Sequence, residues 1–483
     1  MKRSTWRKHH KWLGLVLGFF LIMFCLSGLV LNHPTLFSEV NIGRNLLPND
    51  YRYTGWNKGL LRGALKWNKH VLIYGNSGIW LTNDKAKGIK DFNNGLPKGA
   101  DHRNIKGMAQ MPNRQLFAAE QYNLYTLNKQ NKWERIALPK DEDERLSDIT
   151  QKGDSLFVTS RSYIYIASSP YRQFTKVMLR PANNEDGQVS LFRTVWQLHS
   201  GGIFGIVGRV CVDLIGIILI VLTLSGYIYW FLPYFSSKPN AKLMRQTLFL
   251  HNKIGKLSIV FTLFLCITGW FLRPPGLIAI ASGKVPALPF SAMDSPNTWN
   301  DELRTLRFDN NANEWLLYTS EGFYTLPHIQ ATPKALTTAQ PPVSVMGINV
   351  QETDNQGHWL IGSFYGLYRW DRENNKIIDY FTGKAAQPIK GMPIGEHVIA
   401  GYTKAFGGKD IVADYNSGTS AIAMPQWLST LPMSLRNVCI EVHTGRIYTF
   451  LGMGTMFYIF VVGLAAVWCI WSGWKIRCRK KQT

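Results

Sequence analysis

The chain has 483 residues, 46% hydrophobic and 13% aromatic, long enough for two or three domains and too apolar for a disordered chain. Its 54 Lys+Arg against 31 Asp+Glu leave a formal net charge of +23, but the charge crowds beside hydrophobic runs and no binding motif accompanies it, which excludes nucleic acid as a partner. Six cysteines are present, none in a CxxC or Cys-x-x-Cys-His pattern, so c-type haem and zinc-finger chemistry have no support.

Residues 1–33 form the first element. Lys2, Arg3, Arg7, Lys8 and Lys11 precede an uncharged run from Trp12 to Asn32, whose 21 residues suffice to cross a bilayer as a helix. The run is longer than a signal-peptide core and no small-x-small cleavage site follows, so it is expected to be retained. Residues 34–195 carry three strand–turn–strand units, VLIYGNSGIWLTN at 71, LFAAEQYNLYTLN at 116 and LFVTSRSYIYIAS at 156. Residues 196–273 hold a second span within Leu198–Trp230 and a third at Ile254–Leu272, joined by a short link with Lys238, Lys242, Arg245 and Lys253. Residues 274–441 carry three more units, WLLYTSEGFYTL at 315, WLIGSFYGLYRW at 359 and DIVADYNSGTSAI at 410. Residues 442–483 hold the fourth span, Tyr448–Trp471, and a tail with Arg477, Arg479, Lys480 and Lys481. The positive-inside pattern puts both termini and the basic link in the cytoplasm. The two long loops are then periplasmic, in a bacterial inner membrane in contact with lipid.

Aligned on their turns, the units step by 40 to 52 residues within each loop (Gly78, Asn123, Tyr163; Gly322, Gly366, Gly418). Paired strands at such a period signal propeller blades. The expected fold class is a membrane α-helical four-span bundle plus an all-β, propeller-like periplasmic domain of about six blades built from both loops, with two separate small β-domains as the alternative. The aromatic loop residues, among them Tyr74, Trp80 and Trp370, are expected to form blade core.

The spans also repeat. His10 and Gly14 match His251 and Gly255, Ser27-Gly28 matches Thr268-Gly269, and the His-to-Gly distance is 18 residues in both copies. More loosely, His199 with Ser225-Gly226 matches His443 with Ser472-Gly473 at distances of 27 and 30 residues. Two parallel repeats about an axis along the membrane normal place His10 and His251 at one depth, His199 and His443 at another. Read as one continuous helix, His199 to Gly226 spans about 40 Å, which sets His199, His443 and His33 at or beyond the outer edge of a hydrocarbon core about 30 Å thick.

Haem in a membrane bundle needs neutral imidazoles on the iron and small residues beside the macrocycle. The candidate ligands are therefore His10 with His251 and His199 with His443, for one or two haem b groups, with glycines such as Gly14, Gly18 and Gly208 near them. His33 is a rival for the outer pair, and His9, off the repeat register, faces headgroups. The bland alternative is interfacial histidines, with glycine serving helix packing. Asp213 inside an apolar span is a candidate for proton or propionate chemistry together with Arg209, although the two, four residues apart, also suit a local ion pair. No HExxH, phosphate loop or GxSxG triad appears.

HKWLGLVLGFFLIMFCLSG, and LHSGGIFGIVGR followed by LTLSGYIYW, resemble the PepSY-associated transmembrane family. The resemblance covers the four spans, about a quarter of the chain. It implies b-type haem, histidine ligation at His10, His199, His251 and His443, and kinship with inner-membrane iron–siderophore reductases. The loops depart from the family's usual α+β modules. The expected function is transmembrane electron transfer in iron acquisition, from a quinol or cytoplasmic donor to a periplasmic ferric chelate, with an outer-membrane uptake system as a further partner. The alternative is a haem-free sensor or assembly partner that binds another envelope protein through the β-repeats.

Overall fold

A computed structural model describes residues 2–142, 144–183, 187–235, 240–387 and 394–477. Lys238, Cys478, Arg479, Lys480 and Lys481 lie outside the described residues. The chain divides into two compact units: residues 1–40, 186–295 and 434–483, and residues 41–185 with 296–433.

The first unit is helical. Its long helices are α1 (Arg3–Asn32), α3 (Gly205–Phe235), α4 (Ala241–Phe271) and α6 (Thr455–Arg477); two short ones, α2 (Leu191–Ser200) and α5 (Leu435–His443), precede α3 and α6. Four segments, Arg3–Asn32, Gly202–Phe235, Ala241–Phe271 and Thr449–Ile476, are long and apolar enough to cross a membrane. α1 packs against α3 and α6, α4 against the same two, α5 against α1, and α2 against α4.

The bundle reverses the usual distribution of polarity. Val16, Phe19, Leu257, Val260 and Phe261 stand more than half exposed, whereas Ser27, Ser225, Thr262, Thr268 and Ser472 are buried. Apolar surroundings give apolar side chains no reason to turn inward, so small and hydroxyl residues take the contacts and let backbones approach. At Gly18 an added Cβ would lie 2.4 Å from the Tyr227 hydroxyl, which donates to the Leu15 carbonyl at 3.0 Å. Leu17, Val462 and Cys469 pack between α1 and α6.

The histidines His199 and His443 do not open long spans. Each ends a short helix, α2 and α5, that starts on a serine cap: Ser190 Oγ accepts from Arg193 N and Ser434 Oγ from Asn437 N. Gly201 (φ 75°) and Gly205 (φ 60°) then turn the chain before α3, and Gly445 (φ 74°) and Gly452 (φ 51°) before α6. These left-handed conformations suit glycine. At Gly201 no side chain fits, because a Cβ would sit 2.2 Å from the Gly208 carbonyl oxygen. The 40 Å continuous helix expected from His199 to Gly226 is thereby replaced by two helices with a break.

Among its described residues the second unit is built on β-sheets: five four-stranded antiparallel sheets and a two-stranded one that begins at Ile399, besides a short pairing of Asn41–Ile42 with Met433–Ser434. Their leading strands are β1 (Gly63–Trp67), β2 (Ile105–Gln110), β3 (Leu146–Lys152), β4 (Leu303–Asp309), β5 (Ile348–Thr353) and β6 (Ile399–Thr403). Each is the neighbour of the next, and β6 is the neighbour of β1. The strand–turn–strand units of the sequence are the second and third strands of the first five sheets. The sixth differs: Ile411–Asp414 pairs back with β6, and its downstream arm makes only an isolated bridge at Gly418. Backbone hydrogen bonds instead tie Lys58 N to Tyr415 O at 2.7 Å and Thr419 N to Gly55 O at 2.6 Å, so first-loop residues complete the sixth sheet.

Candidate functional site

The bundle brings the candidate ligands together two by two. The His10 and His251 ring centres lie 6.1 Å apart, their planes at 71°; those of His199 and His443 lie 6.1 Å apart at 56°. Two imidazole nitrogens each about 2 Å from a shared metal ion set their ring centres about 6 Å apart. Along the unbroken α1, His10 and Gly28 are 18 residues apart, which separates the two levels by about 27 Å.

Every ring is held by the same device, supplied by a neighbouring helix. His10 Nδ1 donates to the Cys469 carbonyl at 2.9 Å, with Ser472 Oγ at 3.5 Å. His251 Nδ1 meets the Leu222 carbonyl at 3.1 Å and Ser225 Oγ at 3.0 Å. His199 Nδ1 meets the Leu265 carbonyl at 3.2 Å and Thr268 Oγ1 at 3.1 Å. His443 Nδ1 meets the Phe24 carbonyl at 3.1 Å and Ser27 Oγ at 3.0 Å. A carbonyl oxygen only accepts, so Nδ1 carries the proton and the lone pair resides on Nε2, the arrangement that prepares an imidazole to bind a metal.

The glycine after each hydroxyl residue completes the cradle. A Cβ would meet His199 Cε1 at 2.7 Å from Gly269, His10 Cε1 at 2.9 Å from Gly473, His443 Cε1 at 3.5 Å from Gly28 and His251 Cε1 at 3.8 Å from Gly226. The Ser/Thr-Gly pairs visible in the sequence are thus histidine seats. The sequence reading took them as repeat landmarks and looked for the small residues beside the macrocycle at other glycines, such as Gly14, Gly18 and Gly208.

The remaining candidates go elsewhere. His33 Nε2 lies 2.7 Å from Asp213 Oδ2, and Asn32 Nδ2 donates to Asp213 Oδ1 at 2.9 Å. This joins the end of α1 to the first third of α3; Arg209 lies one turn earlier on the same helix. Trp468 Nε1 donates to His9 Nδ1 at 3.3 Å, between aromatic neighbours Trp6 and Trp468. Among the described residues no group of three or more His, Cys, Asp or Glu is arranged to hold a metal ion.

Arg273, just beyond α4, carried no signal in the sequence. One guanidinium nitrogen donates to the Thr444 carbonyl at 3.2 Å, while its Nε is buried without a hydrogen-bond partner. Burial, and then the nearby Arg446, push its pKa down to about 10. A half-satisfied buried guanidinium one residue from the carboxyl end of the His443 helix is a natural seat for a carboxylate.

Residues 7–480 match the family described as PepSY-associated TM region. No curated protein matches. Among solved structures, the chain is similar to the extracellular domain assigned to a one-component system of B. thetaiotaomicron at 10% identity and TM-score 0.34, covering 79% of this chain and 39% of that one. It is similar to one assigned to a hybrid two-component system of the same organism at 10% identity and TM-score 0.36, covering 75% and 39%. It is also similar to PorZ, a surface component of the type-IX secretion system of Porphyromonas gingivalis, at 10% identity and TM-score 0.27, covering 76% and 38%. The chain spans about two fifths of the length of these proteins.

Proposed function

We propose a function for this membrane protein, which belongs to the PepSY-associated TM region family: it carries electrons across a bacterial inner membrane to a periplasmic ferric chelate such as a ferric siderophore. In this reading His10 with His251, and His199 with His443, each hold a b-type haem, which when bound supplies one-electron chemistry at its iron. The observation that carries the proposal is the fourfold repetition of one geometry: paired rings 6.1 Å apart with Nδ1 anchored on a helix carbonyl and a hydroxyl.

Each part of the chain then has a task. The carbonyls of Cys469, Leu222, Leu265 and Phe24 fix the tautomer and raise the basicity of Nε2. The hydroxyls of Ser472, Ser225, Thr268 and Ser27 limit ring rotation. Gly473, Gly226, Gly269 and Gly28 admit the ring against the helix backbone. Arg273 is positioned to neutralise a propionate at the outer pair, where its Nε has no other acceptor. The donor is a quinol or a cytoplasmic reductant. The six β-sheets are read as blades of one ring that stands outside the membrane and receives the acceptor, and the α1/α4 and α3/α6 correspondences as two parallel repeats.

The visible spectrum of the purified protein tests the proposal. Reduction with dithionite is expected to produce a b-type Soret and α-band, with the inner contribution lost in His251→Ala and the outer in His443→Ala, and ferric-chelate reduction lost in both. A folded, colourless protein would overturn it and leave the haem-free sensor or assembly role.

A further inference from the structure

Five of the six leading strands of the β-unit share an irregularity. The register with the second strand skips one residue near the start of β2, β3, β4, β5 and β6. The skipped residues are Lys106, Ser147, Arg304, Asn349 and Ala400. A bulge re-aims the side chain it releases, and here four of them, Lys106, Ser147, Arg304 and Asn349, line one cavity of about 230 Å³ among the leading strands.

The cavity is strongly basic. Arg62, Lys106, Arg145, Arg161, Arg304 and Arg307 line it, against the carboxylates of Asp148 and Glu352. Those two carboxylates are already committed to one cation: Arg307 is ion-paired with Asp148 and lies 3.7 Å from Glu352. Arg161 pairs with Asp301 at 3.2 Å. Among the described residues the other cations form no ion pair, although Glu120 acts on Lys106, and Asp301 and Glu302 on Arg304, from a distance. Arg304 is held by the carbonyls of Asp301 and Leu303 at 2.8 and 3.0 Å, and Arg62 by Asn104 Oδ1 at 3.1 Å and the Ile105 carbonyl. Among the described residues the side chains of Lys106 and Arg145 form no hydrogen bond or ion pair. Neutral acceptors orient Arg62 and Arg304 without cancelling their charge. Burial, and then Arg62, Arg161 and Arg145, pull the Lys106 pKa well below the ordinary lysine value.

We propose that this cavity is a binding site for a compact multivalent oxyanion bearing two or more phosphate- or carboxylate-type groups. Crowded, partly buried cations are costly when no anion is present. Guanidinium forks recognise planar carboxylate and phosphate edges bidentately, and Lys106 adds a point charge. Ser147 and Asn349 supply neutral donors at the same bulged positions. The site is independent of the histidine pairs and of the electron-transfer role.

Isothermal titration of the detergent-solubilised full chain with citrate and with pyrophosphate tests the site, acetate and chloride serving as monovalent controls. Saturable binding of at least one multivalent anion is expected, weakened tenfold or more in Lys106→Met and in Arg145→Gln; which anion binds identifies the chemistry of its groups. The same Lys106→Met change is expected to raise the melting temperature of the ligand-free protein, because it removes a partly buried amine crowded by Arg62, Arg161 and Arg145, whereas a lysine with a purely structural role would lower it. No heat with either anion, acetate binding as tightly as citrate, or affinity unchanged in both variants overturns the proposal.

Discussion

At Gly269 an added methyl carbon would press on His199 Cε1 at 2.7 Å, whereas at Gly28, beneath the partner ring, it would rest at an ordinary 3.5 Å. The inner pair has the same asymmetry, with 2.9 Å at Gly473 and 3.8 Å at Gly226. Within each pair one seat is therefore tight and one tolerant. Gly269→Ala is expected to empty the outer site and Gly473→Ala the inner, each lowering haem per protein to about half, while Gly28→Ala and Gly226→Ala stay near wild type. A pyridine haemochrome assay on the four purified variants measures this, and equal losses in all four would remove the seats from the argument. The sequence displayed these Ser/Thr-Gly pairs without displaying what they hold, because Ser27 and His443 are 416 positions apart and His10 and Cys469 are 459. A repeat reveals equivalence between positions; it does not reveal which helix becomes whose neighbour.

A second residue-scale expectation concerns Glu120 in the β-unit. Its side chain is fully buried, and Oε2 accepts from Tyr122 N, Asn123 N and Asn123 Nδ2, each at 3.1 Å, while Oε1 has no partner. Burial dominates these hydrogen bonds and raises the pKa to about 7. A folded-state pKa above the unfolded value means that the folded chain keeps a proton the unfolded chain releases. The associated stability is complete below the unfolded value and lost as pH rises through about 7, amounting to about 3 kcal/mol. Glu120→Gln is expected to flatten the melting temperature between pH 5 and pH 8, and a wild-type slope preserved in the variant would assign the dependence elsewhere.

Among the elements, the breaks before α3 and α6 matter more than the spans themselves. Hydropathy points to four membrane spans from the sequence alone, and among the described residues the structure has four helices long and apolar enough to cross a membrane. The spacing from His199 to Gly226 reads equally well as one helix, since nothing in Leu-His-Ser-Gly-Gly announces that Gly201 and Gly205 adopt positive φ. That conformation ends α2 at Ser200, one residue after His199, whose ring meets α4 at Thr268. Gly201→Ala places a Cβ in the left-handed region and against the Gly208 carbonyl at 2.2 Å. A loss of about 1 kcal/mol from the φ term alone adds to that clash, and the expected result is loss of the outer haem with the inner retained. Potentiometric titration of the two b-type signals distinguishes this from general unfolding, which removes both. The β-repeats follow the same logic. Alternating strands were legible as hairpins, but the leading strands and their bulges were not, because one skipped residue leaves the alternation on either side intact.

For the whole molecule, the charge distribution supports the proposed orientation. Lys2, Arg3, Arg7, Lys8 and Lys11 lie at the starting end of α1, Lys242, Arg245, Lys253 and Lys256 in the first half of α4, and Lys475 near the finishing end of α6. Lys11 Nζ sits 3.0 Å from the Trp230 ring centre, so the finishing end of α3 shares that level, which is also the level of His10 and His251. The opposite level carries Asp213, the single acid within the four spans, whose Oδ2 lies 2.7 Å from His33 Nε2. Positive charge is retained on the cytoplasmic side, which in the proposed orientation is the side of these groups. A protease added to intact spheroplasts is therefore expected to cut within residues 41–433 while an epitope placed after Trp474 survives until the membrane is permeabilised. The reverse pattern would put His10 and His251 on the outer side, and with them the site at which electrons leave the protein.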